Sequence, residues 1–305
     1  MNELVIHGLN YQQHTQPFIS ADGERRAFGL IPRNYDTHPI GCYRSVKPYT
    51  AVDLPVIDRA EWPARIAELE ATKSRISDIM LAANVPCLDQ NGRGYCWAHS
   101  ATGAVMALRA VMNQPTVGLS AYAIACIIKS YRDEGGWGAQ ALDFITERGV
   151  PSEEFWPQRS VSPSNDKPAT WENAALHKTT EGWVDLSAAQ YDRKLSFGQE
   201  ITCYLIRIPG IKDENWWSHS ILGVDAVNGT AQFNANLLRM ESGKLMTAQE
   251  FTVAWGVDTE AAGYGIRIRN SWGATWGTQG FGVLAGSQAI SDGAVAPRVT
   301  IPSAA

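Results

Sequence analysis

The segment Gln90–Ser100, Q-N-G-R-G-Y-C-W-A-H-S, holds the residues best suited to covalent chemistry. Gly92 and Gly94 precede Cys96, and a run of small and apolar residues, A-T-G-A-V-M-A-L-R-A-V-M, follows it. Glycine permits a tight turn and the run reads as a helix, so Cys96 falls at or near a helix N-terminus. The positive end of a helix favours thiolate over thiol, and the thiolate is the nucleophile. A cysteine at a helix start can also be purely structural, and the segment alone leaves both readings open. The five cysteines, Cys42, Cys87, Cys96, Cys126 and Cys203, are widely spaced with no C-x-x-C pair. That argues against a metal site built on cysteines and against a disulfide framework. Cys42, Cys126 and Cys203 read as small buried hydrophobes.

The elements that must position these groups change character along the chain. Residues 1–53 are punctuated by Pro17, Pro32, Pro39 and Pro48 and show no sustained period, which predicts an extended arm with a short strand or two. Residues 64–82 place Ile66, Leu69, Ile76 and Ile79 at helical spacing, with Pro63 suited to a first turn. Further helices are predicted from Cys96, in L-S-A-Y-A-I-A-C-I-I-K-S-Y, and in A-Q-A-L-D-F-I-T-E-R, the last stopped by Gly149 and Pro151. Residues 160–170 read as a Ser/Pro/Asn loop. The strand-like runs I-T-C-Y-L-I-R-I, S-I-L-G-V-D-A-V and G-I-R-I-R-N come later. Helices first and strands afterwards point to an α+β fold.

Three blocks together resemble the papain/cathepsin family of cysteine peptidases. The first is Gln90 to Ser100, with Gln six residues before Cys96 and W-A-x-S after it. The second is W-W-S-H-S-I-L-G-V-D-A-V around His219. The third is N-S-W-G-A-T-W-G-T-Q-G-F from Asn270. Read alone, His219 is a histidine beside a strand and Asn270 a turn residue. The resemblance gives them roles. His219 is the expected base for Cys96, later protonating the leaving amine. Asn270 is expected to orient the imidazole and Trp272 to shield that bond. The Gln90 side chain, with the Cys96 backbone N–H, is expected to form the oxyanion hole. Trp276 reads as packing. His99, on the same helical face as Cys96, stands where the family usually has an aromatic residue and reads as its packing substitute.

The resemblance covers about 54–285 and implies two lobes, one helical with Cys96 and one antiparallel and β-barrel-like with His219 and Asn270. An extended polypeptide is expected in the cleft between them. Gly135 and Gly136 would offer backbone to it, and Trp137 would line an apolar pocket. The chain also departs from the family. A disulfide common there would join positions occupied by Arg93 and Asp133, and an ion pair between them is expected instead, which suits a reducing compartment. Ser218 stands where Asp or Asn is frequent. The stretches 64–82 and about 228–262 read as insertions in a domain of 54–290, with 291–305 as a tail. Residues 1–53 show no helical inhibitory prosegment, and the arm is expected to dock on a partner or on the protein's own body.

Composition sets the remaining bounds. The 305 residues carry a formal net charge of -5, with no basic patch to suggest a nucleic-acid partner. Apolar runs are too short to span a bilayer, and the N-terminus lacks the pattern of a secretory signal, so a cytoplasmic or otherwise non-secreted setting is expected. The chemistry inferred needs neither cofactor nor metal. The alternative reading is a structural or assembly protein on the same fold, as in a viral particle or bacterial complex, with little or no activity. A third is cell-wall peptide or isopeptide hydrolysis.

Overall fold

The computed structural model describes residues 3–6, 28–31, 37, 46–47, 59–185, 202–207, 218–228, 264–285 and 293–298. Six α-helices lie within the described residues: α1 Trp62–Thr72, α2 Ile76–Ala82, α3 Cys96–Val111, α4 Ala121–Ile128, α5 Gly138–Arg148 and α6 Pro168–Ala175.

Helix α3 is the centre of the fold. Every residue from Cys96 to Ala110 is buried, which is why the run alternates large apolar residues with Ala98, Ala101, Ala104 and Ala107. A helix apolar all round must be surrounded. It packs on α4, α5 and the sheet, and a side chain at Gly103 would touch Leu222 at 3.4 Å. Tyr95, Trp97, Tyr122, Trp156 and Trp183 complete this core.

The helix expected over 64–82 is two helices. Lys73 adopts the left-handed conformation (φ 56°), and its N–H turns back to the Glu70 and Leu69 carbonyls, a common helix ending. Arg75 is extended and starts α2, pairing with Asp78 at 2.8 Å and Glu70 at 3.1 Å. The loop expected over 160–170 is shorter than that: a 3-10 turn at Pro163–Asn165 precedes α6, which Pro168 begins. Proline reads as a breaker, yet it fits a first helical turn. Gly149 ends α5 as expected, with φ 84°; a side chain there would meet the Ala174 carbonyl.

Eight strands form one sheet in the order β1-β7-β6-β5-β4-β8-β3-β2. They are β1 Val5–Ile6, β2 Val46–Lys47, β3 Trp183–Asp185, β4 Thr202–Arg207, β5 Ser218–Asn228, β6 Tyr264–Arg269, β7 Phe281–Ala285 and β8 Gly293–Pro297. The six inner strands pair antiparallel. Both edge strands come from the N-terminal arm and pair parallel, β1 on β7 and β2 on β3. The arm therefore belongs to the body of the protein. Ile6 is buried with Ile266, Ile268, Trp272, Trp276 and Leu284, and burial of such a side chain contributes roughly 1.5–3 kcal/mol. The expected tail 291–305 is corrected in part, because Gly293–Pro297 is an inner strand between β4 and β3. Its G-A-V-A-P sequence has little β propensity, so only tertiary pairing reveals it. The expected insertion at about 228–262 lies outside the described residues beyond Asn228.

Candidate active site

Cys96 is the first residue of α3. The chain reaches it through a turn in which Asn91 and Gly92 are left-handed (φ 46° and 71°) and Arg93 N–H donates to the Gln90 carbonyl over 3.0 Å. Ala98 and His99 N–H groups donate to the Tyr95 carbonyl, so the helix begins at the cysteine. Its sulfur is unbridged and has no exposed surface.

The Gln90 segment and the Asn270 segment form one hydrogen-bonded unit. Asp89 and Trp272 make an antiparallel bridge, flanked by Gln90 N–H to the Ser271 carbonyl (2.9 Å) and Gly273 N–H to the Leu88 carbonyl (3.1 Å). Ser271 Oγ then donates to Gln90 Oε1 over 2.6 Å, and Gln90 Nε2 donates to the Arg93 carbonyl over 2.7 Å. Together these two bonds fix the plane of the Gln90 side-chain amide. Asn270 is buried; its Oδ1 accepts from Ser271 N–H at 2.8 Å and its own N–H donates to the Gly280 carbonyl at 2.9 Å. Trp272 lies edge-on to Trp276, 6.0 Å between centroids. Ser271 is a site residue that the sequence reading passed over, although it stands inside the N-S-W-G block.

The His219 backbone lies in β5 opposite Ile206 of β4; its side chain lies outside the described residues. The β5–β6 ladder ends at Leu222 opposite Arg269, one residue before Asn270. His219 near the start of β5 and Asn270 just past the end of β6 thus lie at the same end of two neighbouring strands.

A family model described as papain family cysteine protease matches residues 80–203, which include Gln90 and Cys96. Over these residues the chain is similar to the papain family. Curated relatives include Zingipain-1 of Zingiber officinale, 25% identical over 201 residues, covering 65% of this chain and 81% of that one. Digestive cysteine proteinase 3 of Homarus americanus is 24% identical over 201 residues, covering 64% of this chain and 56% of that one. The match thus spans only about half the length of some curated relatives. Among solved structures, xylellain, a cysteine protease from Xylella fastidiosa, superposes with a TM-score of 0.52 at 19% identity, covering 90% of this chain and 96% of that one. Digestive procathepsin L 3 of Tenebrio molitor larval midgut gives 0.51 at 18%, covering 84% and 75%. These likenesses place the fold, which is papain-like α+β.

Of the residues expected to bind substrate, Trp137 packs in one cluster with Cys96. Gly136 lies on the indole of Trp97, so that a side chain there would come within 2.6 Å of the ring. Leu30 of the arm bridges Gly136 in parallel, and Leu30, Cys96 and Trp137 pack together. Nothing in the arm's sequence signalled that contact. Arg93 and Asp133, which stand at the positions of the family disulfide, approach to 4.0 Å. The shorter bond is from Gly94 N–H to Asp133 Oδ1, 2.7 Å, so the aspartate mainly holds the turn ahead of Cys96. An exposed ion pair at that distance adds little.

The other ionisable groups nearby are kept quiet by burial. His99 takes the packing position expected of it, edge-on to Tyr122 at 5.4 Å, with Nδ1 2.8 Å from the Tyr95 carbonyl oxygen. Burial pushes its imidazole down to about 4, so it is neutral near pH 7. Burial also pushes the Cys126 thiol up to about 11 and raises that of Cys87. Neither resembles an activated nucleophile.

Proposed function

We propose that this chain is a cysteine peptidase that cleaves peptide bonds of an extended polypeptide through a thioester on Cys96. The observation that carries the reading is the junction of three groups: a thiol at the N-terminus of a buried helix, and beside it Gln90 and Asn270 in one hydrogen-bonded unit. In this reading the Cys96 thiolate attacks the substrate carbonyl carbon, and Gln90 and the Cys96 N–H donate to the oxygen that becomes negative. The His219 imidazolium gives its proton to the leaving amine. Water, deprotonated by the same imidazole, then attacks the thioester, releasing the acid and restoring the thiol–imidazole pair. Asn270 orients the imidazole and Trp272 excludes water from that bond. Gly135 and Gly136 present backbone to the substrate, and the Trp137 pocket takes an apolar side chain. The charge pair Arg93–Asp133, in place of a crosslink, suits a reducing, non-secreted setting.

The test is the pH profile of Cys96 alkylation by iodoacetamide, together with hydrolysis of an unfolded protein substrate. An ion-paired thiolate reacts well below the ordinary thiol range, and His219→Ala is expected to return the profile to about 8.5. Cys96→Ala is expected to abolish hydrolysis, while Cys126→Ala leaves it intact. A wild-type profile centred near 8.5 would overturn the proposal.

A further inference from the structure

Arg269, the last residue of β6, is a cation in an apolar setting. Its guanidinium lies 4.8 Å over the Phe281 ring and beside the Cys87 thiol. Its Nε and Nη1 have no exposed surface and no hydrogen-bond partner. No carboxylate among the described residues acts on it, whereas Arg267, two residues earlier, is held by Glu3 at 2.6 Å. Cys87 does not serve as its counter-ion, because burial raises the thiol and keeps it protonated. Arginine does not shed its proton to escape such a place, and an unpaired charge withdrawn from water is costly.

Arg269 lines a cavity together with His99, Ser100, Asn270 and Ser271, and apolar side chains of α2, α3 and β5 make up much of the remaining lining. The cavity leaves about 20 Å³ for the centre of a water-sized sphere. By that measure about 10–15 Å³ admits one water, so the space takes a single guest of that order and no large polyatomic one. His99 is 1% exposed, and its Nε2, like the two Arg269 nitrogens, is enclosed without a hydrogen bond. Its Nδ1 lies 2.8 Å from the Tyr95 carbonyl oxygen, which calls for the proton on that nitrogen. The neutral ring therefore has a lone pair on Nε2, and the imidazolium a second donor there.

We propose that this cavity is a site for one small monatomic anion, of chloride or bromide size, taken up against Arg269 together with a proton on His99. The anion is the counter-charge that Arg269 lacks. The proton turns Nε2 from an acceptor, which repels an anion, into a donor, which binds it. Without the anion, protonating His99 sets a second positive charge in a cavity that already holds one; with it, one of the two is offset. Water fits the same space but offsets no charge. The other groups that face His99 do not replace the anion. Tyr122 packs edge-on to its ring, and burial keeps the phenols of Tyr122 and Tyr95 neutral. Asp89 favours the protonated ring, but its carboxylate is already paired with Arg159 at 2.6 Å. The proposal does not depend on reading Cys96 as a nucleophile.

The experiment follows the His99 imidazole by NMR through a pH titration of the full chain, the signal being assigned by its loss in His99→Phe. Sodium bromide is compared with sodium methanesulfonate at equal ionic strength, the second anion being too large for the cavity. For a site with a dissociation constant of about 10 mM, about 0.1 M bromide strengthens proton binding at His99 roughly tenfold, which raises the titration midpoint by about one pH unit. That rise is expected in bromide and in chloride and is expected to be absent in methanesulfonate. His177, buried outside this lining, should titrate alike in all three salts. Equal His99 midpoints in bromide and methanesulfonate, or an equal shift at His177, would overturn the proposal. Arg269→Gln is expected to abolish the bromide shift and Arg269→Lys, which keeps the charge, to retain it; a full shift in Arg269→Gln would place the anion elsewhere and sink the assignment. Because the loss of a part-buried arginine can unfold the chain, the chlorine NMR linewidth of chloride solutions is also measured on the unaltered protein. It is expected to broaden as the pH falls through the His99 titration, and His99→Phe is expected to remove that change. Broadening that is independent of pH, or that persists in His99→Phe, would refute the coupling of anion to proton.

Discussion

Ser271→Ala tests whether the proposed oxyanion donor is held in place from the β side of the site. Ser271 Oγ donates to Gln90 Oε1 over 2.6 Å, and the two residues are 6% and 0% exposed. Removing a donor from a buried acceptor costs about 1–3 kcal/mol. The backbone bonds from Gln90 N–H to the Ser271 carbonyl and from Gly273 N–H to the Leu88 carbonyl survive the substitution, so the two segments stay joined. The loss then falls on the orientation of one amide. Deleting an oxyanion donor outright costs roughly 2.7–4 kcal/mol, which sets the ceiling. A loss of 1–3 kcal/mol corresponds to about 5- to 160-fold in kcat/KM. The assay is peptide hydrolysis. The fall is expected in kcat with KM little changed, and the pH profile of Cys96 alkylation should not move, because in the proposed mechanism Gln90 acts on the tetrahedral intermediate and not on the thiolate. A double-mutant cycle decides the matter: with Gln90→Ala in place, adding Ser271→Ala should cost nothing more. Additive losses, or a single mutant within twofold of its parent, would refute the reasoning.

The turn ahead of Cys96 should depend on Asp133 more than on Arg93. Asp133→Ala removes the 2.7 Å bond to Gly94 N–H and is expected to cost about 1.5–3 kcal/mol, the range for a bond to a charged group; Arg93→Ala should cost no more than about 1 kcal/mol. Urea midpoints give the order, and the reverse order would overturn the assignment. Stability should also fall in mild acid. His99 and His177 are held at about 4 by burial, against an ordinary 6.5. Between those values the unfolded chain takes up protons that the folded chain refuses, so stability is lost as pH drops from about 6.5 to about 4, by on the order of 3 kcal/mol for each group. His99→Phe should flatten that slope, and an unchanged slope in urea titrations across the range would contradict the argument.

How much of this was legible beforehand follows from the range of the interactions. Cys96 at a helix start could be read from two glycines and a small-residue run, because turn and helix are local. The kink at Lys73 could not, because Ile66, Leu69, Ile76 and Ile79 keep helical period across it. The strand Gly293–Pro297 was missed because its ladder partners, Cys203–Leu205 and Trp183–Asp185, lie far away in sequence. The pairing of Arg93 with Asp133 was reachable only through resemblance, and its sequel, the bond to Gly94, not even so. Two short strands of the arm, Val5–Ile6 and Val46–Lys47, are among its described residues, but the place where Leu30 lands is written in Gly136 and Trp137 rather than in Leu30.

The candidate site shows how a chain only about a quarter identical to its relatives over some two thirds of its length can hold this geometry. What joins Gln90 to Asn270 is mainly a backbone ladder, Leu88–Gln90 against Ser271–Gly273, which many sequences can form. What brings Cys96 forward is a helix start whose first bonds are also main-chain. Side chains enter only where a direction must be fixed: Ser271 turns the Gln90 amide, Asp133 holds Gly94, and Trp97 sets the floor under Gly136. The crosslink common in the family can therefore be exchanged for an aspartate–amide bond, because its task at this place is to hold one peptide unit still. By the same logic the arm contacts Gly136 with little side-chain identity of its own, since it bonds main chain to main chain there. Tolerance of sequence and precision of geometry are compatible here because the precise contacts are made by atoms that every residue carries.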